Sequence, residues 1–292
     1  MITIKLLGGL GNQMFQFATG RAVARRLGSE LLLDVSSFEH YDLRRFELED
    51  WAINARVATA SELARAGVVP SSPRMLTRIS RLLGLALPAT TFRESSFAYD
   101  PGILQVTDPV YLDGYFQSER YFSDVAGHLR EEFVLRQPTD SKNKAMEALI
   151  RDAGPLAVSL HIRRGDYVAN AQTAKYHGVC SLDYYSAAVD HIAEQVGGGH
   201  YFVFSDDLAW VRENLKITQP MTLVDVNGPD KGAWDMALMT ACRHHIIANS
   251  SFSWWGAWLN PRPDKIIVAP KRWFAGASHD TTDLVPASWI RL

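Results

Sequence analysis

The chain has 292 residues, 47% of them hydrophobic and 21% charged, which fits one large or two ordinary domains and excludes a disordered polymer. A formal net charge of −2 excludes wholesale nucleic-acid binding, and no run reaches the roughly 18 apolar residues of a membrane span. Two cysteines, Cys180 and Cys242, cannot build a disulfide framework and fit a reducing compartment as small buried hydrophobes.

Ile2–Leu7 reads as a first strand; it lacks the basic stretch and long apolar run of a signal peptide. Gly8-Gly9-Leu10-Gly11 is a tight turn. A helix is predicted from Asn12 to Leu27, with Met14, Ala18 and Ala22 on one face and Gly28 as its C-cap. Glu30–Asp34 is the next strand, so residues 1–34 make one β-α-β unit. Between 35 and 100, Pro70, Pro73 and Pro88 interrupt the pattern, and Ser61–Ala64 marks a short helix start. Pro109–Gly114 reads as a strand and Ser118–Phe133 as a helix. Arg136–Asp140, with Pro138, is the expected domain boundary.

The second half is more regular. Strands are predicted at Leu156–His161, Tyr201–Phe204, Met221–Val226, His245–Ala248 and Ile266–Ala269. Helices alternate with them at Asp183–Val196, Leu208–Leu215, Trp234–Cys242 and Trp254–Leu259. Short connections between alternating elements signal a parallel sheet covered on both faces.

Three strand ends carry the chemistry. The heptad His161-Ile162-Arg163-Arg164-Gly165-Asp166-Tyr167 follows a buried strand, where open α/β sheets bind ligands. Two guanidinium forks there suit the oxygens of a diphosphate. Asp166 is positioned to hold an arginine in place. The plain alternative is a surface loop with solvated charges. Phe204-Ser205-Asp206-Asp207 ends another strand; a carboxylate there suits a ribose or guanine N–H groups, or caps the next helix through Asp206. Asn249-Ser250-Ser251-Phe252-Ser253 leads into a helix, where hydroxyls and free N–H groups form an anion site. Capping by Ser251 or Ser253 is expected in either case.

The turn Gly9-Leu10-Gly11-Asn12-Gln13-Met14 nearly meets the dinucleotide fingerprint, but Met14 replaces the third glycine. With Asp34 as a ribose-binding acid it gives an alternative function, a nicotinamide-dependent oxidoreductase. It also reads as a bare tight turn, or as a glycine loop facing a phosphate from another domain. No Asp-x-Asp, Walker loop or His-Glu-x-x-His occurs, and His245 reads as a core histidine. From Leu63 to Arg93 five arginines (65, 74, 78, 81, 93) occur without an acid; they form an exposed helix or a basic patch for anionic lipid.

Gly9–Gln16, Gly114–Phe122, His161–Tyr167 and the run from Trp234 through Trp255 together resemble the α-1,2-fucosyltransferases of glycosyltransferase family 11. The resemblance implies a GT-B architecture, two Rossmann-like domains facing across a cleft. It implies a GDP-fucose donor, inversion at the anomeric carbon and no metal requirement. Residues 1–140 would then form the acceptor side and 150–275 the GDP-fucose-binding domain, with 276–292 packing back. Arg163 is expected to neutralise the leaving β-phosphate, helped by Gly9, Gly11, Asn12, Gln13, Asn249, Ser250, Ser251 and Ser253. His161 and one of Asp206 and Asp207, Asp206 preferred, would hold the guanosine. The general base is left open among Asp166, His161 and an acid of the first domain. The acceptor is expected to be a galactoside of a surface glycan or O-antigen, lipid-linked, with the protein cytoplasmic and peripheral to the membrane. A sugar-nucleotide-binding protein without activity is the further alternative.

Overall fold

A computed structural model describes residues 1–40, 44–67, 90–165, 176, 178–276 and 279–292. The chain forms two compact units, residues 1–48 with 53–132, and residues 49–52 with 133–292.

In the first unit the strands are β1 (Ile2–Lys5), β2 (Leu31–Asp34), β3 (Arg56–Val57), β4 (Thr90–Arg93) and β5 (Val110–Asp113). They run parallel in the order β3-β2-β1-β5-β4. Ile2, Ile4 and Leu6 are fully buried, which explains why β1 sits at the centre. Helix α1 (Leu10–Leu27) starts two residues earlier than predicted, because extended Gly9 serves as its N-cap. Gly28 ends it in the left-handed conformation, as its lack of a Cβ allows. Met14 does stand in place of the third glycine, yet close helix–sheet packing survives. Gly20 provides it: a Cβ there would lie 2.8 Å from Leu31 and 3.1 Å from Ile4.

Helix α2 (Ala60–Arg65) is opened by a capping box of Thr59 and Glu62. The predicted helix over 118–133 is broken. Two 3-10 turns, Glu119–Tyr121 and Ser123–Val125, precede α3 (Ala126–Glu132). Phe122 leaves helical geometry between them and is fully buried, so tertiary packing overrides the helical spacing. Glu132 at the end of α3 accepts hydrogen bonds from Nε and NH2 of Arg21 in α1, at 2.9 and 2.8 Å.

The second unit has β6 (Ala157–Ile162), β7 (His200–Ser205), β8 (Met221–Leu223), β9 (His244–Ile246), β10 (Ile267–Ala269) and β11 (Ile290–Arg291). All pair in parallel, in the order β11-β10-β9-β6-β7-β8. Read from β8, this is the doubly wound Rossmann order, which reverses between β6 and β9. Its helices are α4 (Ser141–Ala153), α5 (Leu182–Val196), α6 (Leu208–Asn214), α7 (Gly232–Ala241) and α8 (Ser251–Leu259). Val158, Leu160 and Ile162 pack with α5 on one face; Phe202 and Phe204 pack with α4 and α7 on the other. Helix α4 has no counterpart in the sequence reading, since only Asn143, Met146 and Ile150 of it are buried. Residues 279–292 return to the sheet through β11, and Trp254 Nε1 donates to the Leu284 carbonyl at 2.9 Å.

Candidate functional site

The reversal point of the second sheet lies between the carboxyl ends of β6 and β9, and both ends carry candidate residues. His161, the penultimate residue of β6, is 4% exposed and its ring lies 5.6 Å from that of Phe252 in α8. The two strand exits therefore meet. Burial pushes the His161 pKa down to about 4, so the ring is neutral at pH 7. Its Nδ1 is buried with no hydrogen-bond partner among the described residues.

Arg163 follows β6 and pairs with Asp206 at the end of β7, NH1 to Oδ2 at 2.9 Å. The other Asp206 oxygen accepts the Arg164 backbone N–H at 2.8 Å. The two arginines part here. The Arg164 guanidinium lies over the Trp210 ring at 3.8 Å and 3.6 Å from Asp207, which leaves Arg163 as the group directed by Asp206. Gly165 permits this packing, since a Cβ there would sit 2.8 Å from Asp206 Oδ2.

Both Asp206 oxygens accept from the arginine segment, and the side chain stays 25% exposed. These contacts correct one expectation. The helix cap is Asp207, whose Oδ1 accepts the Trp210 N–H at 3.1 Å. Asp166 lies outside the described residues; among the described residues Asp206 holds Arg163.

After β9, Asn249 is 3% exposed and faces inward. Its amide donates to the Gly178 and Trp273 carbonyls, at 3.3 and 3.1 Å. Extended Ser250, not Ser251 or Ser253, caps α8 by accepting the Phe252 N–H at 3.3 Å. Ser253 returns its hydroxyl to the Ser250 carbonyl, and Ser251 is the first helical residue. The first turn of α8 holds no acid, so its positive end is not neutralised locally.

In the first unit, Gly9 and Gly11 shape the start of α1. Gln13 is fully buried and donates to the Gly8 and Arg45 carbonyls, at 2.9 and 2.8 Å, while accepting the Glu47 N–H at 2.9 Å. It holds the turn and is not presented to a ligand. Asn12 accepts from Gln117 at 2.7 Å. Asp34 is 1% exposed and bound to the Tyr111 hydroxyl at 2.6 Å and the Ser36 N–H at 3.0 Å. It cannot reach a ribose, which removes the physical basis of the oxidoreductase alternative.

Three groups escaped the sequence reading. Arg44 lies beside the glycine turn; a Cβ on Gly9 would be 3.6 Å from its Nε. Glu94 accepts the Tyr115 and Phe116 N–H groups at 2.7 and 2.9 Å, and burial raises its pKa. Asp235 in the first turn of α7 is pushed up to about 6 by burial, against a 2.7 Å hydrogen bond from Asn227. Arg44 and Glu94 belong to no local motif, and Asp235 lies inside the run Trp234–Trp255; each is defined by what packs on it. Of the arginine-rich stretch, Arg93 pairs with Asp113 at 3.0 Å, and Arg74, Arg78 and Arg81 lie outside the described residues. Among the described residues no three His, Cys, Asp or Glu side chains converge to hold a metal ion, and no helix is long and apolar enough to cross a membrane.

The profile of glycosyl transferase family 11 matches residues 100–292. The chain is 33% identical to an alpha-1,2-colitosyltransferase of Escherichia coli, over 100% of this chain and 99% of that protein. It is 35% identical to the O-antigen biosynthesis glycosyltransferase WbnK of Escherichia coli, over 98% and 99% of the two chains. Galactoside alpha-(1,2)-fucosyltransferase 2 of Bos taurus is 24% identical over 89% of this chain and 69% of its own length. Among solved structures, POFUT1 in complex with GDP aligns with a TM-score of 0.50 at 15% identity, covering 92% of this chain and 97% of that one. That likeness is one of fold, α/β of the GT-B class with two Rossmann-like units. With its motifs carried on those two parallel sheets and its relatives matched end to end, the chain belongs to glycosyltransferase family 11.

Proposed function

We propose that this chain transfers L-fucose from GDP-β-L-fucose to the 2-hydroxyl of a galactoside, forming an α-1,2 linkage in a surface glycan or O-antigen. One observation carries the reading: Arg163, aimed by Asp206, follows β6 two residues after neutral His161, whose ring packs on Phe252 in the first turn of α8. A diphosphate there meets a fixed guanidinium and helix N–H groups together.

In this mechanism the acceptor oxygen bonds to the fucose C1 as the bond from C1 to the β-phosphate oxygen breaks, with inversion. The electron pair leaves on GDP. Arg163 and the donors around Ser250, Ser251 and Ser253 receive the developing charge, each worth about 10²–10³ in rate. The hydroxyl proton passes to a base. His161, held at about 4, is a weak proton acceptor at neutral pH, and its orphaned Nδ1 suits a hydrogen bond to the donor better. One of Asp206 and Asp207, both partly exposed at the end of β7, is our candidate for the guanine N1 and N2 hydrogens, with Asp235 as a further acid on that side. We assign recognition of the galactoside itself to residues 1–140, with Gly9, Gly11 and Asn12 shaping that side and Asp166 or Glu94 as candidates for the base.

The reaction needs no metal ion in this account, so EDTA leaves turnover intact; strict dependence on a divalent cation refutes it. The free thiols Cys180 and Cys242 accord with a cytoplasmic enzyme, and the basic stretch 63–93 with peripheral membrane contact. Sedimentation with anionic vesicles at two salt concentrations tests that contact.

A second donor has specific support, because one full-length relative at 33% identity is a colitosyltransferase. Colitose is fucose without its 3-hydroxyl. Incubating the protein and a galactoside with GDP-fucose or GDP-colitose, with the linkage read by NMR, decides between them. Preferred transfer of colitose replaces the donor; GDP binding without transfer of either sugar leaves a nucleotide-binding protein.

A further inference from the structure

We infer that the loop after β10 forms an anion-binding subsite for the acceptor, taking a phosphate or carboxylate carried next to the galactoside. The inference rests on the transferase reading above. A cavity of about 430 Å³ opens there, entirely within the second unit, lined by Lys271, Arg272 and His279 over a floor of Trp273 and Phe274. The Lys271 and Arg272 side chains are exposed and make no ion pair among the described residues. The neighbouring acid, Asp280, instead accepts the Thr282 N–H at 2.9 Å.

Tyr176, Phe274 and His279 make a three-ring cluster with centroids 5.1, 5.7 and 5.3 Å apart. The Tyr176 hydroxyl and His279 Nε2 are 2.9 Å apart, which fixes the imidazole. Residues 271–275 are held by two backbone hydrogen bonds, Lys271 N–H to the Leu292 carbonyl at 2.7 Å and Ala275 N–H to the Tyr176 carbonyl at 3.0 Å. Two cations without an ion pair among the described residues, beside an aromatic floor, suit an anion on a sugar ring better than a neutral glycan.

Strand order says which substrate. Along the carboxyl edge, Asp206 follows β7, Arg163 follows β6, Ser250 follows β9 and the cavity follows β10. Neighbouring strands lie about 5 Å apart, so the cavity is one strand beyond the α8 turn. Asn249 ties that turn to the cavity wall through the Trp273 carbonyl at 3.1 Å. With guanosine toward β7 and β8, where Asp235 lies, the diphosphate is already served and the β10 side is left for the fucosyl group and acceptor.

The test compares lactose, lactose 1-phosphate and lactobionate as acceptors for the wild type and a Lys271→Ala/Arg272→Ala double variant. The wild type is expected to favour a charged acceptor by about tenfold in KM, an advantage that 0.5 M salt weakens and the double variant loses. The arm that shows it, phosphate or carboxylate, identifies the anion. Equal KM values for all three acceptors overturn the inference, as does a raised KM for GDP-fucose in the double variant, which would make the cavity part of the donor site. Calorimetric binding of lactose 1-phosphate in the presence of GDP supplies a readout without turnover. Binding lost in the double variant supports the subsite, and unchanged binding overturns it. Transfer to none of the three, with calorimetry intact, refutes the transferase reading alone.

Discussion

Asp206→Asn separates two roles for one carboxylate. If Asp206 aims Arg163, the variant loses transition-state stabilisation; if it reads guanine, the variant loses base discrimination. Asparagine keeps one acceptor oxygen and turns an NH2 group toward a guanidinium that sits at 2.9 Å in the wild type. Two unit charges about 4 Å apart interact by about 4 kcal/mol at an effective dielectric of 20. Here the two side chains are 21% and 25% exposed, and solvent screening leaves about 1–2 kcal/mol. Arg163 must then be brought into place during the reaction, so kcat falls by about tenfold. The KM for GDP-fucose and the preference for GDP over IDP, which lacks the 2-amino group, stay near their wild-type values. Steady-state release of GDP measures the first pair of quantities and competition by the two diphosphates the last. A double-mutant cycle with Arg163→Lys should be strongly non-additive, since both changes remove one interaction. Full kcat with lost GDP preference would refute the reasoning and return Asp206 to the nucleoside.

Gly165→Ala places a Cβ 2.8 Å from Asp206 Oδ2, so its kcat should fall about as far as in Asp206→Asn, with GDP affinity within twofold; unchanged kcat counts against the aiming contact. Asp34→Ala strands the buried Tyr111 hydroxyl and should cost about 1–3 kcal/mol in urea unfolding, while turnover at low temperature is preserved; inactive but stable protein contradicts a purely structural Asp34. His161 is held down at about 4, so the unfolded chain binds a proton below pH 6.5 that the folded one refuses. Its stability contribution is therefore full above pH 6.5 and is lost as pH falls toward 4, by up to about 3 kcal/mol. Asp235, pushed up to about 6, works in the opposite sense, losing stability as pH rises through that value. Urea titrations of His161→Gln in an Asp235→Asn background isolate the histidine; a slope identical to that of Asp235→Asn alone would contradict its burial as a neutral ring.

Legibility followed burial. Strands β1, β6 and β7 are buried along their apolar residues, and the sequence shows them as apolar runs. Strands β3 and β4 are short and mostly exposed, so no alternation announces them. The heptad at 161–167 could be read as a ligand-facing strand end because a buried strand followed by charge has few other uses. Which acid serves those arginines could not be read, because Asp206 reaches Arg163 across 42 intervening positions only after β6 and β7 pair in register. Asp34 misled for the same reason: its place at a strand end matched a ribose-binding acid, but Tyr111, far along the chain, occupies it.

The order of residues by itself determined the α/β class, the glycosyltransferase family and the strand exits that carry charge. Periodicity and motif are properties of neighbours along the chain, and short-range sterics and burial enforce them. Tertiary structure alone decided how the polar groups are spent: Arg164 on Trp210, Arg163 on Asp206, Gln13 and Asn249 on their own turns, and Lys271 with Arg272 on the wall of a cavity. A hydrogen bond or ion pair acts over about 3–4 Å, and only folding brings groups so distant in sequence within that range.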